Sequence, residues 1–267
     1  QKGFESLVKR NDFVLIEGTG HAGVGSVFNM SNGEVAKQLK TKVILVSLGG
    51  IGRAIDEIIL NKACFDMNGV EIIGVIINKV RQEKFEKIEK MAIKGLERQG
   101  IKVLGVIPFV KMLTKPTVLE LYESLDAEIL SGEDYLLNSV NKFFIGDMMP
   151  HDAINYFKKD TLLILPANQE GLVMTAVCGT ILSDVDYNVS AIIFTGGGKP
   201  HEKIIEILKH TKIPMLLVKE DSFSVATQIN NMLVKLRSEE YKKIDKIQEL
   251  IEEYVDVDKI CEIIQKG

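Results

Sequence analysis

The sequence is poor in several residue types, and each scarcity removes a class of explanation. It has no tryptophan, and its 267 residues include only three cysteines, four histidines and six prolines. No apolar run reaches the ~18 residues of a membrane-spanning helix, so no membrane partner is expected. No basic start followed by an apolar stretch suggests a secretory signal. Cys64, Cys178 and Cys261 are far apart and odd in number, which gives neither a disulfide framework nor a zinc spacing. Each lies in an apolar helical pattern and reads as a small buried hydrophobe, in keeping with a reducing cytoplasm. His21, His151, His201 and His210 are scattered, so the sequence supports no metal cluster. The glycine-rich stretches at 18–26 and 196–199 do not supply G-x-x-x-x-G-K-[ST], and neither a G-x-S-x-G elbow nor an H-E-x-x-H helix occurs.

Charge excludes less. The net charge is −4, which speaks against a nucleic-acid partner. Residues 1–120 carry 18 Lys+Arg and 13 Asp+Glu, and residues 121–267 carry 15 and 24. Such asymmetry fits two units with different ligands, or simply two solvated surfaces of different history.

Apolar residues make up 46% of the chain, enough for a substantial core. Strand-like and helix-like runs alternate along it. Phe13–Ile16, Val43–Val46, Ile72–Ile77 and Val103–Ile107 are rich in β-branched residues and apolar on both faces, the pattern of buried parallel strands. Ser31 and Glu34 have capping-box spacing and predict a helix to about Leu39. Ile55, Ile58, Ile59 and Ala63 recur at helical spacing, as do Phe85, Ile88, Ala92 and Leu96. Residues 111–137 break the rhythm and predict a linker with a short helix. Further strands are expected at Leu162–Leu165, Ala191–Phe194 and Met215–Val218, and another around Val140–Ile145. Helices are expected at about Asp152–Phe157, Glu170–Leu182, Pro200–His210 and Ser222–Leu236. Two more, about Glu239–Tyr254 and Val257–Ile264, close the chain, with Asp256 placed to cap the last. This alternation means βαβ crossovers and an α/β fold with a doubly wound, mostly parallel sheet.

Four loops at strand ends could carry chemistry, since ligands of open α/β sheets bind there. Glu17-Gly18-Thr19-Gly20-His21 offers a carboxylate for Mg²⁺ and glycines that let backbone N–H groups approach an anion, or it is an ordinary glycine-rich loop. Gly49-Gly50-Ile51-Gly52-Arg53 sets glycines and an arginine at a helix amino terminus, a possible anion or substrate site, or it is a plain βα turn. Asn78-Lys79 ends a strand, where Asn78 can offer donor and acceptor to an adenine edge or simply form a turn. Thr195-Gly196-Gly197-Gly198-Lys199-Pro200-His201 feeds a helix. It suggests a weak anion site, to which a protonated His201 adds charge, or a dimer contact, or only a tight turn.

Taken in order, DFVLIEGTG, KVILVSLGGIGR, GVIINKV and VLGVIPF resemble the dethiobiotin-synthetase-like and cobyrinic acid a,c-diamide synthase-like P-loop ATPases. The resemblance covers residues 1–124 as a partial nucleotide-binding domain of P-loop NTPase type. It implies ATP and Mg as cofactors, with Glu17 as the Mg²⁺ ligand, Asn78 reading the adenine, and Gly18, Gly20, Lys79 and Pro108 beside the nucleotide. Residues 125–237 resemble a smaller α/β DRTGG domain, through the Thr195-Gly196-Gly197 turn and the stretch IPMLLVKEDSFSVATQI. The Asp-Arg of that domain's name is replaced by Ile193-Phe194. Residues 238–267 are then C-terminal helices. This pairing resembles the amino-terminal region of long phosphate acetyltransferases, and it implies a cytoplasmic nucleotide-binding regulatory protein that forms a homodimer.

Two alternatives remain: an ATP-dependent carboxylate ligase or amidase, and a non-catalytic interaction module. In the resembling family the phosphate loop, with its lysine, precedes the motifs quoted above, and the first residue here is Gln1. The resemblance therefore implies no ATP hydrolysis by residues 1–267 alone, and an apolar seam along Phe13–Ile16.

Overall fold

The computed structural model describes residues 2–181 and 186–265. In chain order its main elements are α1 (Lys2–Val8), α2 (Asn32–Leu39), β1 (Val43–Leu48), α3 (Arg53–Met67), β2 (Ile72–Val80), α4 (Phe85–Glu97) and β3 (Val103–Pro108). Then come α5 (Val118–Ser124), β4 (Glu128–Ser131), β5 (Lys142–Ile145), α6 (Pro150–Ala153), β6 (Thr161–Pro166), α7 (Glu170–Ile181), β7 (Val189–Thr195), α8 (Glu202–Lys209), β8 (Met215–Leu217) and α9 (Ser222–Asn231). The chain closes with α10 (Tyr241–Tyr254) and α11 (Val257–Gln265). Two compact units result: Gln1–Val110 with Ile244–Gly267, and Lys111–Lys243. The two closing helices thus belong mainly with the first unit.

The first unit holds a parallel sheet in the order β1-β2-β3. Each crossover steps the same way, so right-handed connections put both helices on one face. Accordingly Ile58 of α3 and Ile88, Ala92 and Leu96 of α4 share one core with Val75, Ile77 and Val106. The helix α2 starts as its capping box predicts. Ser31 Oγ accepts from the Glu34 amide, and the Glu34 carboxylate accepts from the Ser31 amide at 2.8 Å. The far edge of the sheet is covered by the α10–α11 junction: Val255 forms an antiparallel bridge to Gly105, and the Asp256 amide donates to Leu104 O at 2.9 Å. Gly105 is needed there, because a Cβ would lie 2.6 Å from Tyr254 O. Asp256 also caps α11, accepting from the Lys259 amide at 3.0 Å.

The second unit holds a five-stranded sheet in the order β4-β8-β7-β6-β5, with β4 antiparallel and the rest parallel. Its central strands are buried on both faces. Leu163, Leu165, Ile192 and Phe194 point to one face, where Leu172, Val173 and Ala176 of α7 and Leu208 of α8 cover them. Leu162, Ile164, Ala191 and Ile193 point to the other, under Val118 and Leu121 of α5 and Val225 and Ile229 of α9. The α/β class therefore holds, with one parallel and one mixed sheet.

Several expectations fail locally. Phe13–Ile16 is not a strand; no neighbouring strand pairs with it, and Phe13, Leu15 and Ile16 are exposed. Residues 111–137 are not a linker, since α5 packs into the second core and β4 pairs with β8. None of the three cysteines is buried: Cys178 and Cys261 are exposed and Cys64 is half-buried. Leu182, the expected end of α7, lies outside the described residues.

Candidate functional site

The carboxyl ends of β1, β2 and β3 bring three of the sequence-selected residues to one end of the sheet. Leu48 pairs with Asn78, the Gly49 amide donates to Asn78 O at 2.6 Å, Val80 pairs with Pro108, and the Phe109 amide donates to Val80 O at 2.7 Å. Glycine is required at 49 by crowding: a Cβ would sit 2.6 Å from Val80 Cγ2 and 2.8 Å from Val80 Cα. Asn78 is half-buried, and its Oδ1 accepts from the Lys79 amide at 2.8 Å. That bond supports Lys79 in the left-handed region, at φ 58°. It leaves the Asn78 Nδ2 group and a second Oδ1 lone pair for another partner. Pro108 is buried and Phe109 is exposed. Phe109, an aromatic directly after the last residue of β3, is a further side chain at this end of the sheet, and its place after Pro108 is visible in the sequence.

Beyond Gly49 the backbone turns through Gly50 and Gly52, the latter at φ 86°, into the amino terminus of α3. Gly50 lies against Ala54. Arg53 does not point at an anion-binding cradle here; its side chain is 92% exposed and pairs with Glu57 at 2.8 Å.

The Glu17–Ala22 loop is held elsewhere. Asn32, at the start of α2, donates through Nδ2 to Thr19 O and His21 O, both at 2.9 Å. The Ala22 amide donates to Asn61 Oδ1 of α3 at 2.7 Å, and Gly18 lies against the Asn32 side chain. Glu17 and Gly20 are exposed, with Gly20 at φ 65°. No group of three or more His, Cys, Asp or Glu side chains suited to a metal occurs among the described residues. Glu17 is thus a single carboxylate, which suits Mg²⁺ held mainly by phosphates and water and does not suit an all-protein metal cage.

In the second unit the Thr195–Gly198 turn is already occupied by the protein. The Gly196 amide donates to Glu220 O at 2.8 Å, and the Gly197 amide donates to Val218 O at 2.9 Å. Both glycines have left-handed φ, 75° and 71°, and this fixes their identity. Thr195 Oγ1 lies 2.8 Å from Ser222 Oγ, and Gly198 packs on Ala167. Of the three glycine amides in this turn, those of Gly196 and Gly197 are therefore spent on the β8–α9 connection. His201 is the N-cap of α8, and its Nδ1 accepts from the Lys203 amide at 3.2 Å. That nitrogen is therefore engaged in the first turn of α8. Pro200 precedes the cap and does not open the helix. The next helix is capped by Asp221, whose carboxyl stays below the usual aspartate range because Ser224 donates to it through side chain and backbone, with a further bond from the Phe223 amide.

One further cavity, about 320 Å³, opens beside β3 and is lined by Glu89, Gly105, Glu253, Tyr254 and Asp256. Its acidic rim opposes a phosphate ligand.

With this geometry in place, comparison with known proteins gives two adjoining matches. A family described as an AAA domain matches residues 2–117, and one described as a DRTGG domain matches residues 120–232. The phosphate acetyltransferase of Nitratidesulfovibrio vulgaris is 26% identical over 263 residues, which cover 94% of this chain and 37% of that enzyme. The phosphate acetyltransferase of Synechocystis is 26% identical over 214 residues, 77% of this chain and 30% of the enzyme. The ATP-dependent dethiobiotin synthetase of Clostridium acetobutylicum is 31% identical over 114 residues, 41% of this chain and 46% of that enzyme. The chain therefore spans roughly a third of the length of these phosphate acetyltransferases. Among solved structures, the CBS and DRTGG domains of Clostridium perfringens pyrophosphatase, in complex with diadenosine tetraphosphate, align at 18% identity with a TM-score of 0.37, covering 56% of this chain and 74% of that one. No helix among the described residues is long and apolar enough to cross a membrane.

Proposed function

We propose that this chain, a P-loop-like AAA domain followed by a DRTGG domain and related to the amino-terminal region of phosphate acetyltransferases, is a nucleotide-binding regulatory region. In this reading the first unit binds ATP with Mg²⁺, and the second carries the regulatory response. The observation that carries it is the convergence of Gly49, Asn78 and Pro108 at the carboxyl ends of three adjacent parallel strands, where open α/β sheets take their ligands. Asn78 faces the base: Nδ2 donates to a ring nitrogen, and the spare Oδ1 lone pair accepts from the adenine amino group. Guanine presents a carbonyl at that amino position and is disfavoured. Glu17 supplies the one carboxylate that Mg²⁺ takes from the protein, and Mg²⁺ when bound neutralises phosphate charge.

Binding without turnover is the proposed behaviour of residues 1–267. Their sequence contains no phosphate-loop lysine, the group that stabilises charge on the transferring phosphoryl in such enzymes. Losing a base-edge hydrogen bond while stranding its partner costs about 1–3 kcal/mol, so Asn78→Ala weakens ATP roughly ten- to a hundredfold. Isothermal titration with Mg–ATP and Mg–GTP tests this; unchanged ATP affinity removes Asn78 from the site. A second reading, ATP-dependent carboxylate ligation, draws on the dethiobiotin synthetase similarity over 114 residues. Steady ATP turnover that Glu17→Ala abolishes would favour it. For the second unit we propose self-association as a homodimer, which sedimentation of the full chain at high concentration tests; a clean monomer ends that proposal.

A further inference from the structure

In the first unit's sheet, Asn78 stands between two apolar residues on the neighbouring strand ends. β2 is the middle strand, so Asn78 is flanked by the end of β1 on one side and the end of β3 on the other. On the β1 side Leu48 is the direct partner of Asn78, and neighbours in register share a face of a pleated sheet. On the β3 side Phe109 follows Pro108, and its amide is fixed to Val80 O at 2.7 Å. Both side chains are exposed. A single exposed leucine needs no explanation. Here a leucine, a side-chain amide and an aromatic ring follow one another across three adjacent strand ends.

The spacing suits a flat ring. Neighbouring strands lie about 4.8 Å apart, so the outer two of three are roughly 10 Å apart at the backbone. A planar ring with a contact of about 3.5–4 Å on each face fits between side chains based that far apart. A phosphate is served less well at this end. The sequence contains no G-x-x-x-x-G-K-[ST], and Arg53 is turned to Glu57 at 2.8 Å. Glu17 is a carboxylate, which repels an unaccompanied phosphate. The start of α3 has no side-chain cap and offers an anion the modest pull of a helix dipole.

We propose that residues 1–267 hold an adenine nucleotide mainly by its base: Asn78 reads the ring's edge, Phe109 stacks on one face, and Leu48 covers the other. This rests on the nucleotide reading above and narrows it. The ligand class is adenosine and its derivatives, with the number of phosphates of secondary weight. Stacking tolerates any base, so Phe109 supplies affinity and Asn78 supplies the choice of adenine.

The chain has no tryptophan, so Phe109→Trp places a single fluorescent reporter in the full chain. Adenosine is expected to quench it. By isothermal titration the wild-type chain is expected to bind adenosine within about fivefold of Mg–ATP, the span that a helix dipole adds. Phe109→Ala is expected to weaken adenosine and Mg–ATP alike, roughly ten- to a hundredfold. Phe109→Tyr is expected to keep both. Phe109→Leu keeps apolar bulk but loses the ring face, and it is expected to behave like the alanine variant. The Tyr and Leu pair therefore decides the matter even if the alanine variant unfolds. Adding Asn78→Ala to Phe109→Trp is expected to preserve the quench at higher ligand concentration and to erase the preference for adenosine over guanosine. ATP binding that exceeds adenosine binding more than about a hundredfold, or that Phe109→Ala leaves unchanged, overturns this inference and leaves the nucleotide reading standing. A wild-type chain that binds neither ATP nor adenosine overturns both.

Discussion

The two sheets are made of the same kind of strand, yet they meet solvent differently. In the second unit β7 is buried at every position. In the first, β1 reads just as apolar, VILVSL, but Val46 and Leu48 are 65% and 63% exposed. The cause is coverage. The five-stranded sheet has helices against both faces. In the three-stranded sheet α3 and α4 cover one face and α11 packs at β3, which leaves β1 as the open edge. Phe13, Leu15, Val27 and Phe28 add exposed apolar surface in the same unit. An apolar strand sequence therefore records an environment that the strand can use, and whether it is used depends on neighbours.

The largest expected effect sharpens this contrast. Phe194→Ala, at a fully buried site, should cost about 3–5 kcal/mol, read from hydrogen exchange in β6 and β7. Leu48→Ala should stay within about 0.5 kcal/mol. Equal losses would break the comparison. Next come the two capping boxes. Glu120, buried, closes the capping box of α5 with Thr117 and also accepts from the Lys235 amide; Glu120→Ala strands the buried Thr117 amide and should cost about 1–3 kcal/mol. Ser31→Ala in the first unit should cost about 1 kcal/mol. The reverse order in chemical denaturation would show that burial of the carboxylate is not what separates them.

Acid should act smoothly on both units. The backbone hydrogen bond to Ser31 holds the Glu34 carboxyl below its usual range, and the bonds from Ser224 do the same for Asp221. A depressed pKa gives stability that is present above the unfolded value and lost as pH falls through the folded one. The caps of α2 and α9 should therefore weaken below about pH 4, near the ordinary carboxyl pKa values. Carboxyl NMR titration checks this, and midpoints at ordinary values would remove the effect. Smallest of all, Leu48→Gln should leave stability unchanged and raise solubility, because it polarises an exposed apolar patch. Lower solubility would mean that this side chain is already covered in solution.

Much of the fold was legible because its signals are local. Ser31 with Glu34, the apolar faces of α3 and α4, and the two-sided apolar runs of β6 and β7 depend on periodicity alone. Asp256 could be recognised as a cap from its place before Val257. The misses depend on distant partners. Phe13–Ile16 has strand composition but no strand beside it. Residues 111–137 look like a linker because β4 and α5 are short, and only β8 and the second core give them structure. At the candidate site, Gly49 and Asn78 are recognisable as strand-end residues, and their contact follows from strand order. That Gly196 and Gly197 spend their amides on Glu220 and Val218 could not be read from a turn sequence.

The closure of the second unit on itself also bears on how the chain folds. Residues 111–243 separate β3 from most of α10, and the entropy of closing a flexible loop grows with the logarithm of its length, about 0.6 kcal/mol for each doubling. Once the second unit has folded and Lys243 is tied to Lys115 O, that long detour shrinks to a short one. The Val255–Gly105 bridge then behaves as a nearly local contact, so the sequence in the middle of the chain sets the moment at which its last helices can dock.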